Sequence, residues 1–494
     1  MRKSGILLHI SSLPSEYGIG TFGKEAYRFV DFLEKSGQAY WQILPVGVTG
    51  YGDSPYQSFS SFAGNPYFID LDLLCKDGLL KKEDYENIDF GKDIERVDYG
   101  TLYSVRYPIL RKVYANFKKK KDPSYDIFCA KNREWIYDFA LFMALKDENN
   151  GASWQTWESP LKKREKSALE AAKSRLADDI EFYCVIEFLF FRQWFALKDY
   201  ANKKGIKIIG DVPIYVSLDS ADVWANPKDF ELDEDLAPVN IAGCPPDDFS
   251  ADGQRWGNPL YNWKKMKLDG FSWWCSRVAF SANVFDVLRI DHFRGFEAYW
   301  SIPATDKTAK NGKWVQGPGI ELFEALEKNL GKLPIIAEDL GFLTAGVKKL
   351  LKQTGFPGMK VLEFAFDSRE PSEYLPQAYL PNSVCYTATH DNMTTRQWFD
   401  TASEEAVEYA VEYMALTEKE GYVWGMIRTA FSSVSDLCVV PMQDFLDLGA
   451  EARMNFPGTT GDTNWTWRAE KAMIAPALAT KIEKLTRLYN RAHK

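Results

Sequence analysis

The chain is poor in the residues that announce metal centres and redox chemistry. Its 494 residues include 7 Cys and 4 His, with no CxxC pair and no Cys/His cluster, which excludes a zinc site or a disulfide framework. Unpaired thiols in this pattern predict a reducing, cytoplasmic setting. No run of about 18 apolar residues occurs, so no membrane-spanning helix is expected. The opening Met-Arg-Lys-Ser-Gly-Ile-Leu-Leu-His-Ile is too short for a signal-peptide core. Positive charge is not in excess either: 60 Lys plus Arg against 69 Asp plus Glu gives −9 and a pI near 5.3. That balance argues against a nucleic-acid or anionic-membrane surface, and a neutral partner fits better. Neither GxGxxG nor GxxxxGKS follows the first apolar run, which weakens a nucleotide-binding fold. Aromatic residues, in contrast, are plentiful at 15%, with 16 Trp, 25 Tyr and 32 Phe. Most are explained by core filling, yet flat rings are also what a sugar site uses.

Eight short apolar runs bounded by turn residues recur at Ile6–Ile10, Tyr40–Leu44, Ile206–Ile214, Val287–Phe293, Leu333–Glu338, Met359–Phe366, Ser383–Thr389 and Leu437–Pro441. Several precede helical patterns, among them Lys24–Lys35, Leu343–Gln353 and Glu404–Thr417. Buried parallel strands alternating with helices predict an α/β fold. The runs ending at Asp211, Asp291, Glu338 and His390-Asp391 finish on polar groups, which selects a (β/α)8 TIM barrel with its site on the C-terminal rim. The whole chain, 1–494, is then one catalytic barrel. Roughly 160 residues, about 46–205, separate the second and third runs and predict an inserted, mainly helical subdomain. A second insertion, about 226–263, carries five prolines and predicts an irregular rim loop.

Three acids stand out. Arg289 and Asp291, two apart on a strand, face the same side, and the guanidinium is expected to keep Asp291 ionised as a nucleophile. A structural salt bridge is the plainer alternative. Of the adjacent acids Glu338 and Asp339, only one can point inward. Glu338 between apolar neighbours suits a general acid, while Asp339 is expected to cap the following helix. Asp391 adds a third carboxylate beside His390. On spacing alone the three could instead bind a divalent cation, although Arg289 would repel it and the flanks are aromatic.

The segments His9–Pro14, Gly50–Ser58, Gly210–Val216, Leu288–Gly295, Ala337–Gly341, Thr389–Asn392, and Arg453–Asn455 with Pro457-Gly458 together resemble the α-amylase superfamily. The resemblance is specifically to its 4-α-glucanotransferase branch, the amylomaltases or disproportionating enzymes. It implies Asp291 as nucleophile, Glu338 as acid/base and Asp391 as transition-state stabiliser. It further implies Tyr56, Asp211, Arg289, His390, Phe366 and Asp367 as donor-site contacts, Phe249, Gln254 and Trp256 on a lid over the acceptor side, and Ser54 and Asn455 as further substrate contacts. The expected partners are maltooligosaccharides, glucose and α-1,4-glucans, with no cofactor and no metal. The segment at Asp211 continues Val-Pro-Ile where ordinary α-amylases end in Asn-His, which matches the transferase branch. Two alternatives remain at this point: a glucan hydrolase using the same carboxylates, and a catalytically silent glucan-binding protein.

Overall fold

A computed structural model describes the chain except Met1, Tyr51, residues 247–249, Phe342, residues 367–371, Thr460, Asp462 and Lys494. Eight parallel strands close a barrel: β1 (Lys3–Leu7), β2 (Tyr40–Gln42), β3 (Lys207–Pro213), β4 (Val287–Asp291), β5 (Ile335–Ala337), β6 (Gly358–Val361), β7 (Ser383–Tyr386) and β8 (Leu437–Pro441). Each pairs with its neighbour in sequence, and β8 returns to β1 with Lys3 opposite Leu437. All eight apolar runs therefore supply a barrel strand. The strands are shorter than the runs because pairing stops where the polar rim begins, so Glu338 and His390 lie just beyond strand ends.

Inside the barrel, Leu7, Ile209, Val287, Ile336, Met359, Val361, Val384, Tyr386 and Val439 form one buried cluster. They come from alternate positions of successive strands, the layering that fills a barrel of this size. The next inward positions of β3 and β4 are Asp211 and Arg289, which lie opposite one another in register. The apolar plug thus gives way to charge one step from the rim.

Local sequence explains the helices outside. In Lys24–Lys35, Ala26, Phe29, Val30 and Leu33 are buried, a spacing that lays one face on the barrel. Helix Ala345–Thr354 starts at Thr344, whose hydroxyl accepts the N–H of Val347, and stops at Gly355, where φ is 70°. A side chain is strained there, so glycine ends the helix.

Between β2 and β3 the described residues form seven α-helices, the longest being Ala177–Lys203, which Leu176 separates from the helix Lys166–Arg175. Much of the aromatic excess is buried: Trp41, Trp154, Trp194, Trp224 and Trp274 are fully covered. The stretch 226–263 is not irregular throughout. Its strands Asn240–Cys244 and Gln254–Pro259 join Ala298–Pro303 and Lys313–Gln316 in a four-stranded antiparallel sheet, with Asn240–Cys244 and Ala298–Pro303 central.

The seam between β1 and β8 is fastened by the far end of the chain. Arg491, fully buried, donates to the carbonyls of Phe431, Ser433, Ser435 and Lys3. Arg2 donates to the carbonyls of Ser433 and Tyr489. No helix of the described residues is long and apolar enough to cross a membrane.

Candidate active site

The C-terminal rim gathers the acids from β4, β5 and β7. Arg289, 2% exposed, donates through Nη1 to Asp211 Oδ2 at 2.5 Å and to Asp291 Oδ1 at 3.1 Å. Tyr56 Oη bonds the same Asp211 oxygen at 2.7 Å and lies 2.7 Å from His390 Nε2. The Tyr56 and His390 rings stack with centroids 5.4 Å apart. His390 Nε2 is also 3.2 Å from Asp391 Oδ2, and Asn455 Nδ2 donates to Asp391 Oδ1 at 2.7 Å. Arg453 fixes that end, donating to the backbone carbonyls of Asp391 and Asn455. One continuous polar chain therefore runs from Asp291 through Arg289, Asp211, Tyr56 and His390 to Asp391.

Glu338 approaches from β5. Its two oxygens accept the backbone N–H groups of His292 and Leu340 at 2.7 and 2.8 Å, which fixes the carboxyl in one orientation. His292 offers its N–H because its backbone turns left-handed there, with φ 53°. Its ring meets Trp256 edge-on at 4.9 Å, and Trp256 Nε1 donates to Gln254 Oε1 at 3.0 Å. Burial keeps the His292 imidazole neutral, lowering its pKa to about 3.

The acids divide electrostatically. Burial raises Asp291 well above the ordinary carboxylate range, and the neighbouring Asp211, Glu338 and Asp391 push the same way. The expectation that Arg289 holds Asp291 ionised is corrected accordingly. The guanidinium makes its shorter bond to Asp211 across the β3–β4 pairing, so its charge is shared, and desolvation outweighs the remainder. Glu338 is raised too, again chiefly by burial. Burial thus works against ionisation of both acids, and the charge of Glu338 adds to that on Asp291. Asp391 behaves oppositely. Burial works to raise it, but His390 and Asn455 together hold it below the usual range, so it stays charged. Among the described residues, no group of three or more His, Cys, Asp or Glu is placed to hold a metal ion.

The structure separates the other candidates. Ser54 lies one turn before Tyr56, its hydroxyl accepting the Tyr56 N–H at 3.3 Å. Phe366 is not presented to the rim: it is 1% exposed, and its ring packs against Trp398, Tyr409 and Tyr413 of the surrounding helices. An aromatic at a strand end can turn either way, and here the helices claim it. Phe249 and Asp367 lie outside the described residues. Asp339 does not cap a helix. Its Oδ1 accepts the Met359 N–H on β6 at 2.6 Å, and Gly358 is required beside it because a Cβ there would sit 2.5 Å from Asp339 Oδ2. Sequence reasoning passed over Trp465, whose ring lies against both Tyr56 and His390, and gave no role to Arg453. Trp465 carries no local signal, whereas Arg453 was visible in the Arg453–Asn455 segment.

A closed (β/α)8 barrel with three carboxylates gathered on its C-terminal rim is the construction of an enzyme that cleaves or transfers glycosyl groups. Comparison makes this specific. The family model described as 4-alpha-glucanotransferase matches residues 8–473, and the chain belongs to that family. A 4-alpha-glucanotransferase of Clostridium butyricum is 53% identical over 98% of this chain and 100% of its own length. One from Thermus thermophilus is 47% identical over 96% of each chain. The solved amylomaltase of Streptococcus agalactiae, in complex with acarbose, superposes with a TM-score of 0.98 at 45% identity, covering 100% of both chains. The amylomaltase of Corynebacterium glutamicum shares the fold, with a TM-score of 0.78 at 19% identity over 98% of this chain and 75% of its own.

Proposed function

We propose that this 4-alpha-glucanotransferase moves α-1,4-glucan segments from maltooligosaccharide donors to the 4-hydroxyl of glucose or another glucan by retaining double displacement, with Asp291, Glu338 and Asp391 as its working acids. The observation carrying this is the gathering of three carboxylates on one rim, Asp291 and Asp391 joined through one hydrogen-bonded chain and Glu338 held beside them by two backbone N–H groups. The reactive form has a proton on Glu338 and the charge on Asp291, whose Oδ1 faces Arg289. Glu338 gives its proton to the leaving O4 as the C1–O4 bond breaks, and the Asp291 carboxylate bonds to C1. The acceptor hydroxyl then loses its proton to the Glu338 carboxylate, a new C1–O4 bond forms, and Asp291 is released. Asp391, ionised throughout, offsets the positive charge that develops on the ring between these events.

Tyr56, Asp211, Arg289 and His390 hold the donor sugar at this point, and Asn455 orients Asp391. Gln254 and Trp256 border the acceptor side. Water competes at the second step, so a transferase must favour the sugar hydroxyl by positioning it and by excluding solvent. Among the described residues no two cysteines are joined in a disulfide, which suits a reducing compartment, and we place the enzyme in the cytoplasm.

The test is incubation with pure maltotriose. A ladder of longer oligosaccharides plus glucose, with few new reducing ends, is expected. Asp291→Asn should abolish the ladder while leaving the melting temperature near that of the parent. Glucose and maltose appearing with a matching rise in reducing ends would favour hydrolysis, and an active Asp291→Asn would remove the nucleophile.

A further inference from the structure

A cleft of about 520 Å³ opens on the flank of the molecule and shares no residue with the three-carboxylate network. Its walls are Trp135 and its neighbours, from the helical stretch between β2 and β3, and Trp273, Ser276 and Phe280 of helix Ser272–Val284. Clefts that bind small molecules run from about 300 to 1,000 Å³, so this one has room for a short oligosaccharide.

Its lining combines a ring platform with an unspent polar group. Phe62 and Trp135 lie nearly parallel, at 15° with centroids 6.1 Å apart. Phe280 meets both edge-on, at 5.3 and 5.6 Å. Phe62 and Phe280 keep part of their surface open to solvent. Asp222, only 4% exposed, accepts the Ser61 N–H at 2.6 Å and stands in the wall of the cleft. Burial raises this acid to about 6. Trp273 carries a buried indole N–H with no acceptor. At the mouth, Glu134 is exposed.

The charges select among ligands. Of the two lysines in the lining, Lys265 is held by Asp229 and Asp269, and acids outnumber bases, so a polyanion is disfavoured. A neutral molecule with apolar ring faces and many hydroxyls matches the platform and the unspent indole N–H together. In an enzyme acting on glucans, such a molecule is a stretch of the glucan itself. Resting on the function proposed above, we infer that this cleft is a second, non-catalytic α-glucan site that holds a distant part of a long chain while the rim works on another. Phe62 lies six residues after Tyr56, so one segment of chain borders both places. Ser60, Phe62 and Phe280 also line a small cavity of about 70 Å³ whose other walls include Tyr56 and Asp211.

The experiment measures retardation of the full chain in native gels containing amylopectin, beside maltotriose turnover, for the wild type, Trp135→Ala and Ser276→Trp. The second variant fills the cleft from an exposed helix position and keeps the test valid if loss of Trp135 disturbs folding. One lost ring contact corresponds to a change of about two- to tenfold, so both variants should weaken amylopectin binding about fivefold with maltotriose turnover within about twofold of wild type. Wild-type retardation in both variants overturns the inference, as does a parallel fall of binding and turnover. A wild type that converts maltotriose but is not retarded sinks the second site and spares the proposed function. A wild type that is retarded but converts no maltotriose sinks the function instead.

Discussion

Asn455→Ala removes one hydrogen bond from the one carboxylate that must stay charged throughout the reaction. Asn455 Nδ2 donates to Asp391 Oδ1 at 2.7 Å, while His390 Nε2 holds the other oxygen at 3.2 Å. Hydrogen bonds to charged groups contribute about 1.5–3 kcal/mol, or roughly 10- to 150-fold in rate. The Asp391 side chain is 38% exposed, so water replaces part of what is lost and the lower part of that range applies, about 10- to 30-fold. The loss should fall on kcat, since Asp391 offsets charge that exists only in the transition state. Removing Asn455 also removes a contribution that lowers the Asp391 pKa, but His390 remains, and the acid limb set by the raised Asp291 should stay where it is. Initial-rate kinetics on maltotriose across pH, with circular dichroism to confirm folding, measure both effects. A variant with kcat within twofold of wild type would refute the role given to this contact.

Three further outcomes follow from the same geometry. Because Asp291 is raised, its carboxylate is lost as pH falls through that raised value, so the acid limb of kcat/KM should lie above the ordinary carboxylate value of about 4, and a limb at or below pH 4 would contradict this. Asp339 is raised to about 6 by burial, so the folded state binds its proton more tightly than the unfolded chain and stability falls as pH rises from about 4 through 6. Asp339→Asn should therefore stabilise by about 2–3 kcal/mol at pH 8 and far less at pH 4, and equal denaturation shifts at both pH values would count against this. Trp256→Ala should raise the share of new reducing ends per bond broken without lowering the melting temperature. An unchanged share would leave this ring as loop packing.

The barrel was legible because strands buried on both faces are written as unbroken apolar runs, and their polar ends mark the rim. The sheet around 240–316 was not. Segments such as Gln254-Arg255-Trp256-Gly257-Asn258-Pro259 neither alternate cleanly nor avoid glycine and proline, and they become strands only by pairing across the insertion. Asp291, Glu338 and Asp391 could be singled out because each stands at the end of such a run. Their protonation could not be read in the same way. Arg289 is two residues from Asp291 in sequence, but Asp211, which takes the shorter bond, comes from a strand about eighty residues away. Phe366 illustrates the same limit for orientation, since only the packed helices decide which way its ring turns.

Closure of β1 on β8 sets an order on folding. The two strands pair with Lys3 opposite Leu437, and Arg491 then ties Lys3 to Ser433 and Ser435, so one edge of β1 stays uncovered until β8 has been made. At about 5–20 residues per second that wait lasts tens of seconds. During it that edge of β1 is open to pairing with other chains, and a chain stalled short of β8 carries the exposed edge until it is degraded or captured by a chaperone.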